Sequence, residues 1–299
     1  LEEQSAHAEL GKAWRLVAMV QQIAGRLGEA SETISKVIHH ARLGGDERLV
    51  ARSALGMTLS AVYGPTPAVQ AIAQCEALIA SGLADRQVQN LIIGKVALLH
   101  AMVGDFDTAR RNATSARVVL RDLSQGVRAA ASSLDVAEVE LLAGDPAAAE
   151  RELRADCEML QQLGEKFFLS TMANALARAV LEQGRDEEAM AWTKTAEASV
   201  ADDDVEAQAE WRCIRALILA RRGELAEAEA LARAGRELAF QTEAPAMRAS
   251  TLSDLADVLS RAGRVEEARS AYGDAIAIYT AKGNVTSLRR AEHLLLAIQ

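Results

Sequence analysis

Residues Val136–Leu160 read VAEVELLAGDPAAAERELRADCEML. Two apolar stretches at helical spacing flank one glycine, Gly144. Val136, Ala137, Val139, Leu141 and Leu142 precede it, and Ala149, Leu153, Cys157 and Leu160 follow it. Apolar residues three and four apart mark one face of a helix. A glycine between two such faces ends the first helix in a left-handed conformation that costs other residues energy. The stretch therefore predicts a hairpin of two helices, each with a single apolar face.

The same joint recurs along the whole chain. Gly25, Gly64, Gly104, Gly144, Gly184, Gly223 and Gly263 are spaced 39 or 40 residues apart. Five positions after six of them stand Ala30, Ala109, Ala149, Ala189, Ala228 and Ala268, and seven positions before stand Ala18, Ala97, Ala137, Ala177, Ala216 and Ala256. The repeat at Gly64 is one residue out of step, with Ala68. A fixed period of this size signals stacked helical hairpins, each burying its apolar face on the next. Small residues are expected where two helix backbones approach closely, since a larger side chain would overpack the joint by roughly 1–3 kcal/mol.

A second punctuation falls midway between these joints, at Gly44-Gly45, Gly82, Gly126, Gly164, Asp202–Asp204, Glu243–Pro245 and Gly283. The chain thus reads as fourteen helices in seven pairs, followed by a capping helix at 287–298. Pro65, Pro67, Pro146 and Pro245 fall at turns or first helical turns. No linker breaks the 299 residues, and a solenoid escapes the usual domain-size limit because each unit touches its neighbours. The reading is one repeat domain, 1–299. The first residue is Leu, which reads as part of a longer protein.

Composition narrows function more than it assigns it. The net charge of −9 is spread along the chain, so a basic stripe for nucleic acid is not expected. No apolar run reaches the ~18–20 residues that span a bilayer, and no signal segment opens the chain. Cys75, Cys157 and Cys213 are isolated thiols, which points to reduced core residues in the cytoplasm. His39 and His40 are adjacent, so their side chains diverge by about 100° on a helix and do not share an ion. Asp202–Asp204 reads as a helix cap before Val205. No phosphate loop, HExxH or GxSxG motif is present. The expectations are no catalytic residue, no cofactor and no metal.

The glycine–alanine joint resembles the tetratricopeptide (TPR) hairpin, with a period nearer 40 than 34. HEAT and armadillo repeats share that period. Three stretches are more specific: Tyr63–Pro67 (YGPTP), Leu141–Arg154 (LLAGDPAAAERELR) and Tyr279–Asn284 (YTAKGN). They resemble the C-terminal TPR-like region of large bacterial signalling proteins, in which a class III adenylate/guanylate cyclase domain and a STAND-type ATPase precede the repeats. The resemblance implies an all-α, right-handed TPR-like superhelix. It also implies a sensor or protein-interaction module that contacts an upstream domain or a protein or peptide partner. The TPR region of a transcriptional regulator would read alike, and a structural spacer or oligomerisation arm is a further alternative.

In TPR hairpins the first helix lines the concave side, and here its exposed positions are placed ten and six residues before the joint glycine. Those positions are Arg15 and Met19, Gly94 and Leu98, Leu134 and Glu138, Asn174 and Arg178, Cys213 and Leu217, and Ser253 and Asp257. Arg15, Leu98, Leu134, Glu138, Asn174, Arg178 and Leu217 stand out as candidate groove contacts. Glu138 and Arg178 occupy one register position in successive repeats, which makes a structural pair the competing reading. Trp14 and Trp211 fit packing between hairpins. The expected guest is an extended peptide or helix in a long open groove across repeats three to six, with some positive charge to suit the acidic chain.

Overall fold

Asp46, Asp85, Asp145, Asp204 and Asn284 each accept a hydrogen bond from the backbone N–H three residues on, at 2.8–3.1 Å. These are N-caps, satisfying donors that a helix start leaves open. They open α3 (Glu47–Tyr63), α5 (Arg86–Met102), α9 (Pro146–Leu163), α12 (Val205–Arg221) and α16 (Val285–Ala297). The computed structural model describes residues 2–82, 85–123 and 126–298. Its remaining helices are α1 (Glu2–Ile23), α2 (Leu27–Gly44), α4 (Ala68–Ala80), α6 (Phe106–Leu123), α7 (Val127–Ala131) and α8 (Ser133–Ala143). After α9 come α10 (Phe167–Glu182), α11 (Asp186–Ser199), α13 (Leu225–Ala239), α14 (Pro245–Arg261) and α15 (Val265–Lys282). Among the described residues there is no strand, and no helix is long and apolar enough to cross a membrane.

The helices pair as seven hairpins with α16 at the end, an all-α TPR-like solenoid. The first helix of the fourth hairpin is broken at Ser132 into α7 and α8. There Ser132 Oγ donates to Ala129 O at 2.6 Å and Ser133 Oγ to Ala130 O at 2.8 Å. Such hydroxyl bonds compete with the helical ladder. Six joint glycines hold φ between 68° and 87°. Gly64 does not: its φ is −85° and ψ −171°, an extended backbone. The expectation of a left-handed stop at every joint fails at the one repeat that is out of step. All twelve alanines of the ladder are buried, as is Ala68.

The long open groove expected from the repeats is corrected, because distant hairpins of the solenoid touch one another. The Glu243 backbone N–H donates to Gly25 O at 2.8 Å, and its carboxylate accepts from Gly28 N at 2.7 Å. A Cβ on Gly25 would stand 2.6 Å from Thr242 Cβ, so the absence of a side chain lets the two loops touch. Lys282 donates from Nζ to the carbonyls of Ala61, Gly64 and Thr66 at 3.1, 2.8 and 2.7 Å, and is only 1% exposed. Burial pushes its ammonium down to about 8, while three carbonyls take its three protons. The last hairpin is thereby fastened to the second, and hairpins touch units other than their sequence neighbours.

The capping helix begins two residues before the expected 287 and does more than cap. Besides packing on α15 it reaches across to α5, α8 and α10. Thr286 Oγ1 donates to Ala101 O at 2.6 Å, and Arg290 pairs with Glu182 at 2.8 Å.

Candidate functional site

Closure turns the concave face into a recess of about 320 Å³, within the size range of ligand sites. It is lined by the first helices of hairpins two to seven, namely α3, α5, α8, α10, α12 and α14, together with Tyr279 of α15 and one face of α16. Leu98, Met102, Leu134, Leu141, Leu142 and Leu294 give it an apolar wall. Six acidic side chains and two basic ones give it a polar wall: Glu138, Glu182, Glu206, Glu210, Asp254 and Asp257 against Arg178 and Arg290.

Part of that charge is already matched. Arg178 forms a bidentate pair with Asp254, at 2.9 and 2.7 Å, spanning from α10 past α12 to α14. Both side chains are largely shielded from water, so the guanidinium stays charged despite burial, held by Asp254. Arg290 is matched by Glu182, and Asp257 accepts from the Tyr272 hydroxyl. Beside Tyr63 of the recess, Lys95 is partly buried between Asp135 (2.7 Å) and the Tyr63 hydroxyl (3.0 Å). Burial alone would lower this ammonium, but Asp135, Tyr63 and Glu138 raise it and keep it charged. Gly94 makes room for that pair, since a Cβ there would stand 2.7 Å from Asp135 Oδ2.

Glu138, Glu206 and Glu210 are left without an ion-pair partner within direct reach among the described residues. Burial pushes Glu138 up to about 7, against the pull of Lys95 and with a push from Asp135 and Glu206. Burial pushes Glu210 up to about 8, opposed by Arg178 and reinforced by Glu206 and Glu138. Glu206 is raised too, by burial and then by Asp204. Its side chain is open to the water of the recess, yet protein surrounds it on most sides. Glu138 Oε2 has no solvent contact, and the Tyr63 hydroxyl is the donor beside this carboxylate.

The structure brings Leu98, Leu134, Glu138 and Arg178 together in this recess, with Cys213, Ser253 and Asp257 from the same register. It leaves the other three candidates out. Arg15 lies half-buried on α1, which does not reach the recess. Asn174 is fully buried and its amide donates to Ala207 O at 3.0 Å, a bond between α10 and α12. Leu217 packs against the main core. Glu138 and Arg178 do not pair with each other: Arg178 turns to Asp254, and Glu138 faces Lys95 and the α12 carboxylates.

The remaining sequence features fall in place as structure. Asp204 caps α12, as its carboxylate accepts from Ala207 N at 3.1 Å. His40 stacks on His7 with Nδ1 atoms 2.9 Å apart. Among the described residues no group of three or more His, Cys, Asp or Glu side chains is arranged to hold a metal. All three cysteines are free and buried, and burial pushes Cys157 up to about 12, which makes its thiol unreactive. Trp211 is buried under Arg212 and Arg215, whose guanidinium carbons lie 4.1 and 4.4 Å from its ring. Trp14 packs on the cluster of Val37, Ala41, Leu49 and Val50.

A model of the tetratricopeptide repeat matches residues 248–282, the hairpin of α14 and α15. Three solved structures share the architecture. NprR in complex with its cognate peptide NprX aligns with a TM-score of 0.63 at 13% identity, over 94% of this chain and 82% of that one. A Rap protein complexed with competence and sporulation factor aligns at 0.59 and 12%, over 99% and 100%. The Rap conjugation gene regulator of plasmid pLS20 with the Phr* peptide aligns at 0.57 and 14%, over 98% and 96%. At these identities the likeness establishes the fold. No curated protein matches the chain.

Proposed function

We propose that residues 1–299 form one protein-interaction and sensor domain that takes a peptide or small ligand on its concave face. The observation that carries this reading is the recess itself, in which eight helices converge on an apolar wall and a charged wall. A few polar groups set in an apolar concavity is how recognition sites are built. The complexes of NprR with its cognate peptide and of the pLS20 Rap regulator with the Phr* peptide lend support, since this chain shares their fold. The contacts are Leu98, Leu134, Glu138 and Arg178.

The domain is non-catalytic and works in the cytoplasm, consistent with three unpaired buried thiols. It serves a larger bacterial signalling protein in which cyclase and STAND ATPase domains lie upstream, and ligand binding biases those domains through direct contact. A second reading, an oligomerisation arm, draws on the apolar outer face of α1. Leu16, Val20 and Ile23 there are 65%, 59% and 62% exposed, and contiguous apolar surface marks an interaction site.

The test is selection of short peptides on the purified chain, followed by titration of the best binder against wild type and Leu134→Arg. The expected result is loss of binding in the variant with an unchanged melting point. Binders indifferent to Leu134→Arg but lost on Leu16→Arg would transfer the function to α1.

A further inference from the structure

Among the helices that line the recess, α16 is the least embedded. It buries one residue, Ala291, whereas α10 buries eleven and α12 nine. Yet it turns a whole helical face to the cavity: Ser287, Arg290, Ala291 and Leu294, spaced i, i+3, i+4 and i+7. That spacing is how an amphipathic helix lies in a groove. Two polar contacts tie α16 across the recess. Arg290 pairs with Glu182 of α10, and Thr286 Oγ1 donates to Ala101 O of α5. The Arg290 side chain is 61% exposed, so the ion pair is a weak latch.

The chain just before α16 is held on its own account. Lys282 anchors the end of α15 in its three carbonyls, and Gly283 follows in the left-handed conformation at φ 72°. Asn284 then caps α16 by accepting from Ser287 N. A rotation about Gly283 would therefore lift α16 out of the recess and leave the lysine clasp closed.

We propose that α16 is a resident stand-in for a helix of a partner protein, and that the partner's helix binds by displacing it. The guest helix carries the pattern of α16 itself: an arginine, a small residue directly after it, and a leucine four positions after the arginine. The arginine takes Glu182, the small residue permits close approach, and the leucine joins Leu134 and Leu141 on the apolar wall. This rests on the reading of the concave face as a binding site; it names the partner and the way access is controlled. A helix tethered at Gly283 competes at high effective concentration, so it lowers the apparent affinity of every guest. An extended peptide is disfavoured, because the surface is already matched to a helix.

The experiment uses the full chain and a fluorescein-labelled peptide of residues 284–298. Fluorescence anisotropy reads binding. Amide exchange of α16 reads displacement, in an isotopically labelled chain whose fragments differ in mass from those of the peptide. The peptide should bind the Arg290→Gln chain about fivefold more tightly than wild type, because the latch is gone and Glu182 is free. A peptide carrying Arg290→Gln should bind that chain about fivefold more weakly than the unaltered peptide. Amides of α16 should exchange faster on binding, and Leu134→Arg should abolish binding. If Arg290→Gln lowers the melting point of the chain, Thr286→Val loosens α16 at its other tie and should also strengthen binding. Equal affinity for wild type and both loosened chains would overturn the proposal, as would no binding to any of them at millimolar concentration. Other peptides that bind, are lost on Leu134→Arg and leave α16 protected would overturn the displacement while keeping the concave site.

Discussion

At the scale of the residue, Arg178 has a partner that its register position does not announce. The position six before the joint glycine faces the recess at Leu98, Glu138, Arg178 and Asp257. From the sequence Arg178 looks like an exposed anchor whose loss would spare folding. In the structure it closes a shielded pair with Asp254, so Arg178→Ala leaves a buried carboxylate unmatched. The expected loss is about 2–4 kcal/mol, toward the lower part of the range for broken buried pairs because 17% of the Arg178 side chain still meets water. Urea denaturation checks it, and Arg178→Met with Asp254→Leu should recover most of the loss. Equal destabilisation by the single and double variants would show that the pair itself is not the cause.

Two positions per repeat are also too few. The lining continues one turn back, at Thr171, Glu210 and Ser250, and forward to Met102, Leu142 and Glu182. That is the full i, i+3, i+4 stripe of a helix face. Glu206 and Glu210 were legible in that stripe. Gly94 and Asn174 lie on it as well but are covered by Asp135 and α12, which spacing alone does not show.

The raised carboxylates set a sign for pH. Glu138 and Glu210 hold protons in the folded state up to about 7 and about 8, whereas the unfolded chain releases them near 4.5. Between those values the native state binds more protons, so stability falls as pH rises. Lys282 is charged in both states over most of this window and contributes little slope. Glu210→Gln should therefore flatten the decline of melting temperature between pH 5 and pH 8 relative to wild type. Parallel curves would show that Glu210 ionises normally.

At the scale of the element, the hairpin joint was legible at six of its seven glycines, Gly64 being the exception, because nearly everything that makes it lies within forty residues. Ala177 is completely buried where α10 crosses its neighbours, and Ala191 on α11 is exposed. Ala177→Leu should cost about 1–3 kcal/mol more than Ala191→Leu, the usual penalty of overpacking. Coincident urea midpoints would contradict the ladder. The clasp was not legible. Lys282 reads as an ordinary cation in the last turn of a helix, where the dipole favours one. Its partners lie 216–221 residues away, and they meet it only after the small rotation of each hairpin has accumulated around the ring. One trace of it was visible: the odd repeat at Gly64 is where the lysine docks. Removing residues 285–298 tests how far α16 reaches. Amide exchange should accelerate in α5 and α10, far away in sequence, as well as in α15. Acceleration confined to α15 would reduce α16 to a cap.

At the scale of the whole molecule, closure changes how the chain comes apart. An open repeat array unfolds from its ends in nearly independent steps. Here hairpin one is held by the loop before α14, and hairpin two by the end of α15. Trp14, Trp192 and Trp211 report on the first, fifth and sixth hairpins. Single-tryptophan versions of the chain should share one urea midpoint. In a Lys282→Met background, the Trp14 transition should move to lower urea than the other two. Three separate midpoints in the wild-type background would mean that the clasp carries little energy.

The lysine clasp also fixes a number. An open array can gain or lose a unit in the course of descent and keep both ends intact, since only one interface is added or removed. In a closed ring every duplication of forty residues would carry the ammonium of Lys282 past its three carbonyls, and every deletion would stop it short. A lineage that keeps this lysine and the Gly-Pro-Thr-Pro turn it grips is thereby held to seven hairpins. Its members are free to drift in side chain and loop but not in count, and a relative with six or eight should have lost both features together.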